Sequence, residues 1–328
     1  MWRLVRRVLL AFAIAGSAGA EEASQSSLTH VQLIQALEQV AWAGKNLHFS
    51  GTFVIQKGGL VETCKITHFG DRSVDREKIE RIDGDPLEIT RFGNEVMVYM
   101  PRERFVKRKL GVRDRSFPSL TADQLATIGE HYNVVVGDLD RIAGRFATHI
   151  TLEPKDKLRL RHELWIDQRT ALQLKAQMFN ERGELVEQIM FTDVSIGEHV
   201  TREMTRSIYE EEALSWRVDR ANNKESGEDN QQSVQWEANS VPPGFKQVME
   251  VSRVKGSGGR RIHLVYSDGF AAVSVFIESR KKRGFKAGLI REGVINVYRR
   301  IVNEQYVTII GDAPEEAVRL IGDSIVRR

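Results

Sequence analysis

A chain of 328 residues, 41% hydrophobic and 28% charged, is too long for one ordinary core and too apolar to be disordered, so two folded domains are expected. The formal charge of +3 belongs to Arg3, Arg6 and Arg7, and without them acidic and basic side chains balance. That balance gives no reason to look for nucleic acid, and a single cysteine, Cys64, excludes an intrachain disulfide.

The three arginines precede an apolar run, Val8 to Gly16, and the small residues Ser17-Ala18-Gly19-Ala20. This is the pattern of a secretory signal peptide, residues 1–20, with cleavage expected after Ala20. The run is too short to span a bilayer as a helix, so the mature chain is expected to be exported and not membrane-spanning. Export argues further against nucleic acid as a partner.

Ser27 or Thr29 can cap a helix from about Leu28 to Ala43, with Leu33, Leu37, Val40 and Ala41 at helical spacing and Gly44 at its end. The period then changes to two. Alternating runs at Phe49–Gln56, Val61–Phe69, Ser73–Ile82, Leu87–Phe92, Glu95–Met100 and Phe105–Leu110 are separated by turn signals such as Lys57-Gly58-Gly59, Asp83-Gly84-Asp85-Pro86 and Gly93-Asn94. Residues 111–129 break the rhythm, with a loop at Phe117-Pro118-Ser119 and a short helix over Thr121–Ile128. Strands resume at Tyr132–Val136, Phe146–Glu153, Leu158–Ile166, Ala171–Phe179 and Leu185–Val194. One amphipathic helix followed by a long antiparallel meander predicts an α+β fold, a strongly curved sheet wrapped on that helix, which leaves a concave face if it does not close. Its concave face is where an apolar ligand would enter.

Asp219–Ser233 contains no aliphatic or aromatic core residue and reads as a linker between a first domain, 21–218, and a second, 234–328. From Val234 onward there are 16 Lys and Arg against 10 Asp and Glu, whereas 21–233 carries 29 against 35. An acidic first half and a basic second half either attract each other or choose different partners, unless the asymmetry is chance. In the second half, Val251–Val254, Arg261–Tyr266, Ala271–Ile277, Val294–Val302 and Gln305–Gly311 read as strands. Pro314–Val326 reads as a helix with Glu315 and Glu316 in its first turn, completing a smaller α+β domain.

No P-loop, dinucleotide fingerprint, zinc-protease helix, C-x-x-C or nucleophile elbow is present, and no histidines pair at metal-ligand spacing. The chain is read as a binding protein, not an enzyme, with no cofactor or metal. Cys64 lies in a strand-like run, where His68 is about 13 Å away, so it is read as an inert core thiol. Two stretches invite a binding role. Arg280, Lys281, Lys282, Arg283 and Lys286, interleaved with Phe285, would hold phosphates, lipopolysaccharide or an acidic partner, or else form a solvated loop. Phe53, Ile55, Met97, Tyr99 and Met178 would line an apolar groove for acyl chains, or else seal the sheet to its helix.

The stretches LHFSGTFVIQ, ERIDGDPLEITRFGNEVMVYMP, DRIAGRFATHITLEPKD, RLRHELWIDQRTALQLKAQMFNERGELVEQIMFTDV and VYSDGFAAVSVFIE, in this order, resemble the RseB/MucB family of periplasmic regulators of the sigma-E envelope-stress response. The resemblance covers nearly all of the mature chain. It implies a lipoprotein-carrier-like half-barrel and a C-terminal domain that helps grip the periplasmic part of a membrane anti-sigma factor. It further implies that binding shields this factor from regulatory proteolysis, and that lipopolysaccharide or mislocalised lipoprotein releases it. The alternative is a periplasmic lipid or lipoprotein carrier that uses the groove alone. For the regulator, the linker is where the two halves would change their arrangement.

Overall fold

The computed structural model describes residues 30–71, 74–110, 128–220, 236–254, 260–279, 285–292 and 295–328. The expected signal peptide, most of the loop and short helix over 111–127, linker residues 221–233 and Arg280–Arg283 lie outside the described residues.

Helix α1 (His30–Asn46) leads into a meander of eleven strands: β1 (Phe49–Lys57), β2 (Leu60–Phe69), β3 (Arg76–Arg81), β4 (Glu88–Phe92), β5 (Glu95–Met100), β6 (Phe105–Leu110), β7 (Tyr132–Ile142), β8 (Arg145–Pro154), β9 (Arg161–Asp167), β10 (Gln173–Phe179) and β11 (Leu185–Ile196). With β12 (Arg217–Arg220) they form one twelve-stranded sheet in the order β12-β6-β5-β4-β3-β2-β1-β11-β10-β9-β8-β7. The sheet does not close. β1 lies inside it between β2 and β11, and the two arms run out to edges at β12 and β7. Apart from β12, which runs parallel to β6, it is an antiparallel sheet as the alternating pattern predicts, and open as the resemblance implies.

Pairing fixes the faces. Leu164 opposes Ala176, Ala176 opposes Ile189, and Ile189 opposes Ile55, so these side chains share one face. Helix α1 packs on that face, its Leu37 and Val40 meeting Tyr132, Ile150, Leu152, Leu164 and Ile166. The opposite, outer face is covered on the β3–β6 arm by the chain after β11, where two 3-10 turns, Glu203–Thr205 and Glu212–Ser215, bring Tyr209 and Trp216 against Tyr99 and Val106.

The second half holds β13 (Trp236–Ala238), β14 (Lys246–Val254), β15 (Arg260–Ser267), β16 (Ala272–Glu278), β17 (Gly288–Glu292), β18 (Ile295–Val302), β19 (Gln305–Gly311), α2 (Glu315–Asp323) and β20 (Ile325–Arg327). Six of the strands form a sheet in the order β14-β15-β16-β19-β18-β17, and β13 pairs with β20 beside it. Alternate residues Leu264, Val273, Val275, Val307 and Ile309 are fully buried beneath Ala317, Val318 and Ile321 of α2.

Four sequence expectations need correction. Gly44 does not end α1, which continues to Asn46, whose Nδ2 donates to the Trp42 carbonyl at 2.8 Å. β7 does not stop at Val136 but passes through a bulge between Val136 and Leu139 to Ile142. The linker does not begin at Asp219, because Arg217–Arg220 pairs parallel with β6 and adds a strand. The last helix ends at Asp323 rather than Val326, and Ile325–Arg327 turns back as a strand against Trp236–Ala238.

Candidate functional site

The residues expected to line one groove divide between the two faces of the sheet. Phe53 and Ile55 share the α1 face, where Phe53 is buried against Phe191 with ring centroids 6.0 Å apart. Met97 and Tyr99 lie on the outer face: Phe53 opposes Cys64, and Ile66 leads through Ile79 and Ile89 to Val98, which places Val98 with Phe53 and its two neighbours opposite. Tyr99 is buried with Val106 and Trp216, and Met97 packs against them. Met178 opposes His162 and so lies on the α1 face as well, but in a separate small cluster with Leu160 and Val186. Of the basic run only Lys286 is described; it is exposed, and Phe285 beside it stands edge-on to Tyr306 at 4.8 Å.

Cys64 is buried, opposite Phe53 and Arg81. Burial first, and then the nearby Glu62 carboxylate, push its thiol up to about 11, so the thiolate needed for reaction is scarce at neutral pH. Glu88 is also buried, on the outer face, and accepts the Ile208 N–H at 3.3 Å. Burial holds its carboxyl above the usual range, against the opposing pull of Ser207, the Ile208 N–H and Lys78. Next to this arm Pro101, Arg104, Glu212, Ser215 and Trp216 line a surface cleft of about 340 Å³.

The described residues concentrate buried charge and aromatic side chains where the two sheets meet. Arg159, in the loop before β9, has a fully buried side chain. Its guanidinium donates Nη1 to Asp156 and Nη2 to the Pro243 carbonyl, and its Nε lies 3.3 Å from Asp268 Oδ2. The last contact is not aligned as a hydrogen bond, so it acts through charge alone. Asp268 stays in place because its Oδ1 accepts the Phe270 and Ala271 N–H groups at 3.0 and 2.9 Å. That turn presents the Phe270 ring to Tyr132 at 5.4 Å and to His162 at 5.1 Å. From the other side Pro243-Gly244-Phe245 closes in. Gly244 has φ +83 and leaves so little room that a Cβ would come within 2.4 Å of His131 Nε2.

This environment displaces nearby titrations. Burial holds His162 down to about 4. His131 is lowered by burial first and by Arg159 second, while Glu130, Asp156 and Asp268 oppose the shift. Tyr132 is raised, chiefly by burial.

Two exposed edges start at this junction. β7 begins beside His131, and β14 begins two residues after Gly244. Val135, Val136 and Leu139 on β7, Phe146 on β8, and Val248 and Met249 on β14 are exposed apolar side chains along them. Both edges are bulged, at Val136/Leu139 and at Gln247/Met249.

The MucB/RseB N-terminal domain model matches residues 32–209 and the MucB/RseB C-terminal domain model residues 230–326. The sigma factor AlgU regulatory protein MucB of Pseudomonas aeruginosa is 27% identical over 291 residues, 85% of this chain and 85% of its own. The sigma-E factor regulatory protein RseB of Haemophilus influenzae is 22% identical over 91% of this chain and 92% of its own. Among solved structures, a crystal structure of MucB in complex with MucA(peri) matches with a TM-score of 0.69 at 25% identity, covering 90% of this chain and 98% of that one.

Proposed function

The chain belongs to the MucB/RseB family, and we propose that it is a periplasmic regulator that binds the periplasmic part of a membrane anti-sigma-E factor. The observation that carries this reading is a likeness spanning both halves, 90% of this chain and 98% of a MucB held in complex with MucA(peri). A carrier that used the larger sheet alone would not require the second half to be retained and docked. Among the described residues no helix is long and apolar enough to cross a membrane. On this reading the protein is exported with cleavage after Ala20, and its membrane-bound partner holds it at the envelope.

Binding shields the anti-sigma polypeptide from the protease that begins its destruction, and an amphiphilic ligand with acyl chains and phosphates, such as lipopolysaccharide, or a mislocalised lipoprotein releases it. The apolar part of such a ligand meets the α1 face around Phe53 and Ile55, and Arg280, Lys281, Lys282, Arg283 and Lys286 meet its anionic part. Met97 and Tyr99 lie on the opposite face of the sheet.

Titration calorimetry of the mature chain with the anti-sigma periplasmic polypeptide tests the reading. Saturable binding lost on removing residues 234–328 is expected. No binding by the intact chain, or full function retained by the first half alone, returns the protein to the carrier reading. Replacing Arg280, Lys281, Lys282 and Arg283 by Ser is expected to weaken lipopolysaccharide binding and flatten its salt dependence. Unchanged binding at low salt makes that run a solvated loop.

A further inference from the structure

We infer that Arg159 is the positioning residue that fixes the angle between the two sheets, so that a polypeptide partner meets both halves as one preformed surface. The inference deepens the proposed function and rests on it for the nature of the partner. The clasp itself rests on the junction alone.

A guanidinium stripped of water is strongly unfavourable unless its donors are met and its charge is opposed. Arg159 is met from three directions, once by its own half and twice by the other. Asp156 lies three residues before it, while the Pro243 carbonyl and Asp268 come from beyond the linker. A planar fork gives each of the diverging acceptors, Asp156 and the Pro243 carbonyl, its own η nitrogen while the charge faces Asp268, and a lysine ammonium on a flexible stem does not. Rotating the second sheet away would take the Pro243 carbonyl and Asp268 from Arg159, leaving it Asp156 and water, and would uncover Phe270. Its guanidinium carbon lies 5.9 Å from the Phe245 ring, so the aromatic packing and the charge pairing fail together. Two packed sheets joined in this way have one favoured angle instead of a range of angles.

The consequence concerns binding. A partner that spans both halves loses affinity in proportion to the fraction of molecules whose halves are correctly set. The exposed edges β7 and β14 start on either side of the clasp, so their mutual angle is what Arg159 sets. Asp268 holds its own turn through Oδ1 and faces Arg159 with Oδ2, which lets the two roles be separated by substitution.

The experiment uses the full mature chain with Cys64→Ala, spin-labelled at Leu60→Cys on the larger sheet and Val248→Cys on the smaller one, both exposed positions. Pulsed electron resonance then gives the distribution of distances between the halves without any partner. The parent is expected to give one narrow distance, and Arg159→Met and Asp268→Asn to broaden it. Calorimetry should show affinity for the anti-sigma periplasmic polypeptide falling about 100-fold with Arg159→Met, the scale expected when one member of a buried pair is removed. Arg159→Lys should broaden the distance as well, since charge without the fork does not suffice. If Arg159→Met does not fold, Asp268→Asn decides the matter, because it keeps the turn acceptor. A distribution as narrow as the parent's in the folded variants overturns the clasp. So does a broadened distribution with unchanged affinity. Failure of the parent to bind the polypeptide defeats the proposed function and leaves the distance measurement to judge the clasp on its own.

Discussion

Acid should loosen this protein through one buried imidazole. His162 points to the α1 face of β9, opposite Leu152, with Tyr132 and Phe270 around it. Burial holds its titration near 4, against an ordinary value of 6.5. Between those limits the unfolded chain binds the proton and the folded chain does not, so stability is full above about pH 6.5 and is lost as pH falls towards 4. The two values predict a loss of about 2 kcal/mol between pH 7 and pH 5, and about 3 kcal/mol by pH 4. Other carboxylates and histidines titrate in the same range, so the measurement must be a difference. Urea unfolding midpoints of the parent and of His162→Met, each at pH 7 and pH 5, isolate the term, because methionine fills a similar apolar space without titrating. The parent is expected to lose about 2 kcal/mol more than the variant over that interval. Equal losses would mean that His162 is hydrated or hydrogen-bonded in its charged form, and the reasoning from burial would be wrong.

Other substitutions test other parts of the fold. Asp167 accepts Arg145 through both oxygens at 2.8 and 2.9 Å, and it also receives the Thr170 N–H and hydroxyl. Burial alone would raise its carboxyl, but these bonds hold it below the usual range, so Asp167→Ala should cost about 3 kcal/mol in urea unfolding. The Cys64 thiol, pushed up to about 11, should resist a disulfide reagent at pH 8 in the native protein and react fully in guanidinium. Gly322 in α2 has no room for a Cβ, which would lie 2.6 Å from Tyr298 Cδ1 and 2.9 Å from Ile309 Cδ1. Gly322→Ala should therefore lower the melting temperature, although alanine favours helix by about 1 kcal/mol. Phe270→Ala should broaden the distance between the halves while costing only about 1–2 kcal/mol of total stability, since the ring is half-buried.

Alternation and turn residues located most of the strands, because a half-buried antiparallel ladder writes its period directly into the sequence. The misses have separate causes. Gly137 and Asp138 look like a turn after Val136, but β7 absorbs them as a bulge, which adds residues without ending the pairing. Ile325 and Val326 extend the apolar face of a helix as well as they form a strand, and pairing with Trp236–Ala238 decides between the two. Arg217–Arg220 carries a single valine, and its strand state comes from β6 beside it. The five groove candidates divide between faces for a related reason. Period two assigns faces within one strand, but the relation between Phe53 and Met97 depends on the register of every strand between them. Arg159 and Pro243 lie 84 residues apart, so no local pattern connects them. A lone arginine in Lys155-Asp156-Lys157-Leu158-Arg159 reads as a solvated charge until the second sheet is seen to cover it.

The junction also has a physical connection to the face where an apolar ligand would enter. Leu37 and Val40 of α1 pack in one cluster with Tyr132, Ile150, Leu152 and Leu164, and Phe270 from the second half packs against that same cluster. A ligand acts at a distance only if it binds one arrangement better than another. The polar composition after Arg220 offers no such preference by itself. An acyl chain competing with α1 for the sheet face would disturb the cluster that seats Phe270, and Phe270 is held by the turn whose Asp268 faces Arg159. On the proposed reading, release needs no long pathway. It needs only that the seat of one aromatic ring differ between the ligand-free and ligand-filled sheet, and the Phe270→Ala distance measurement is where that idea stands or fails.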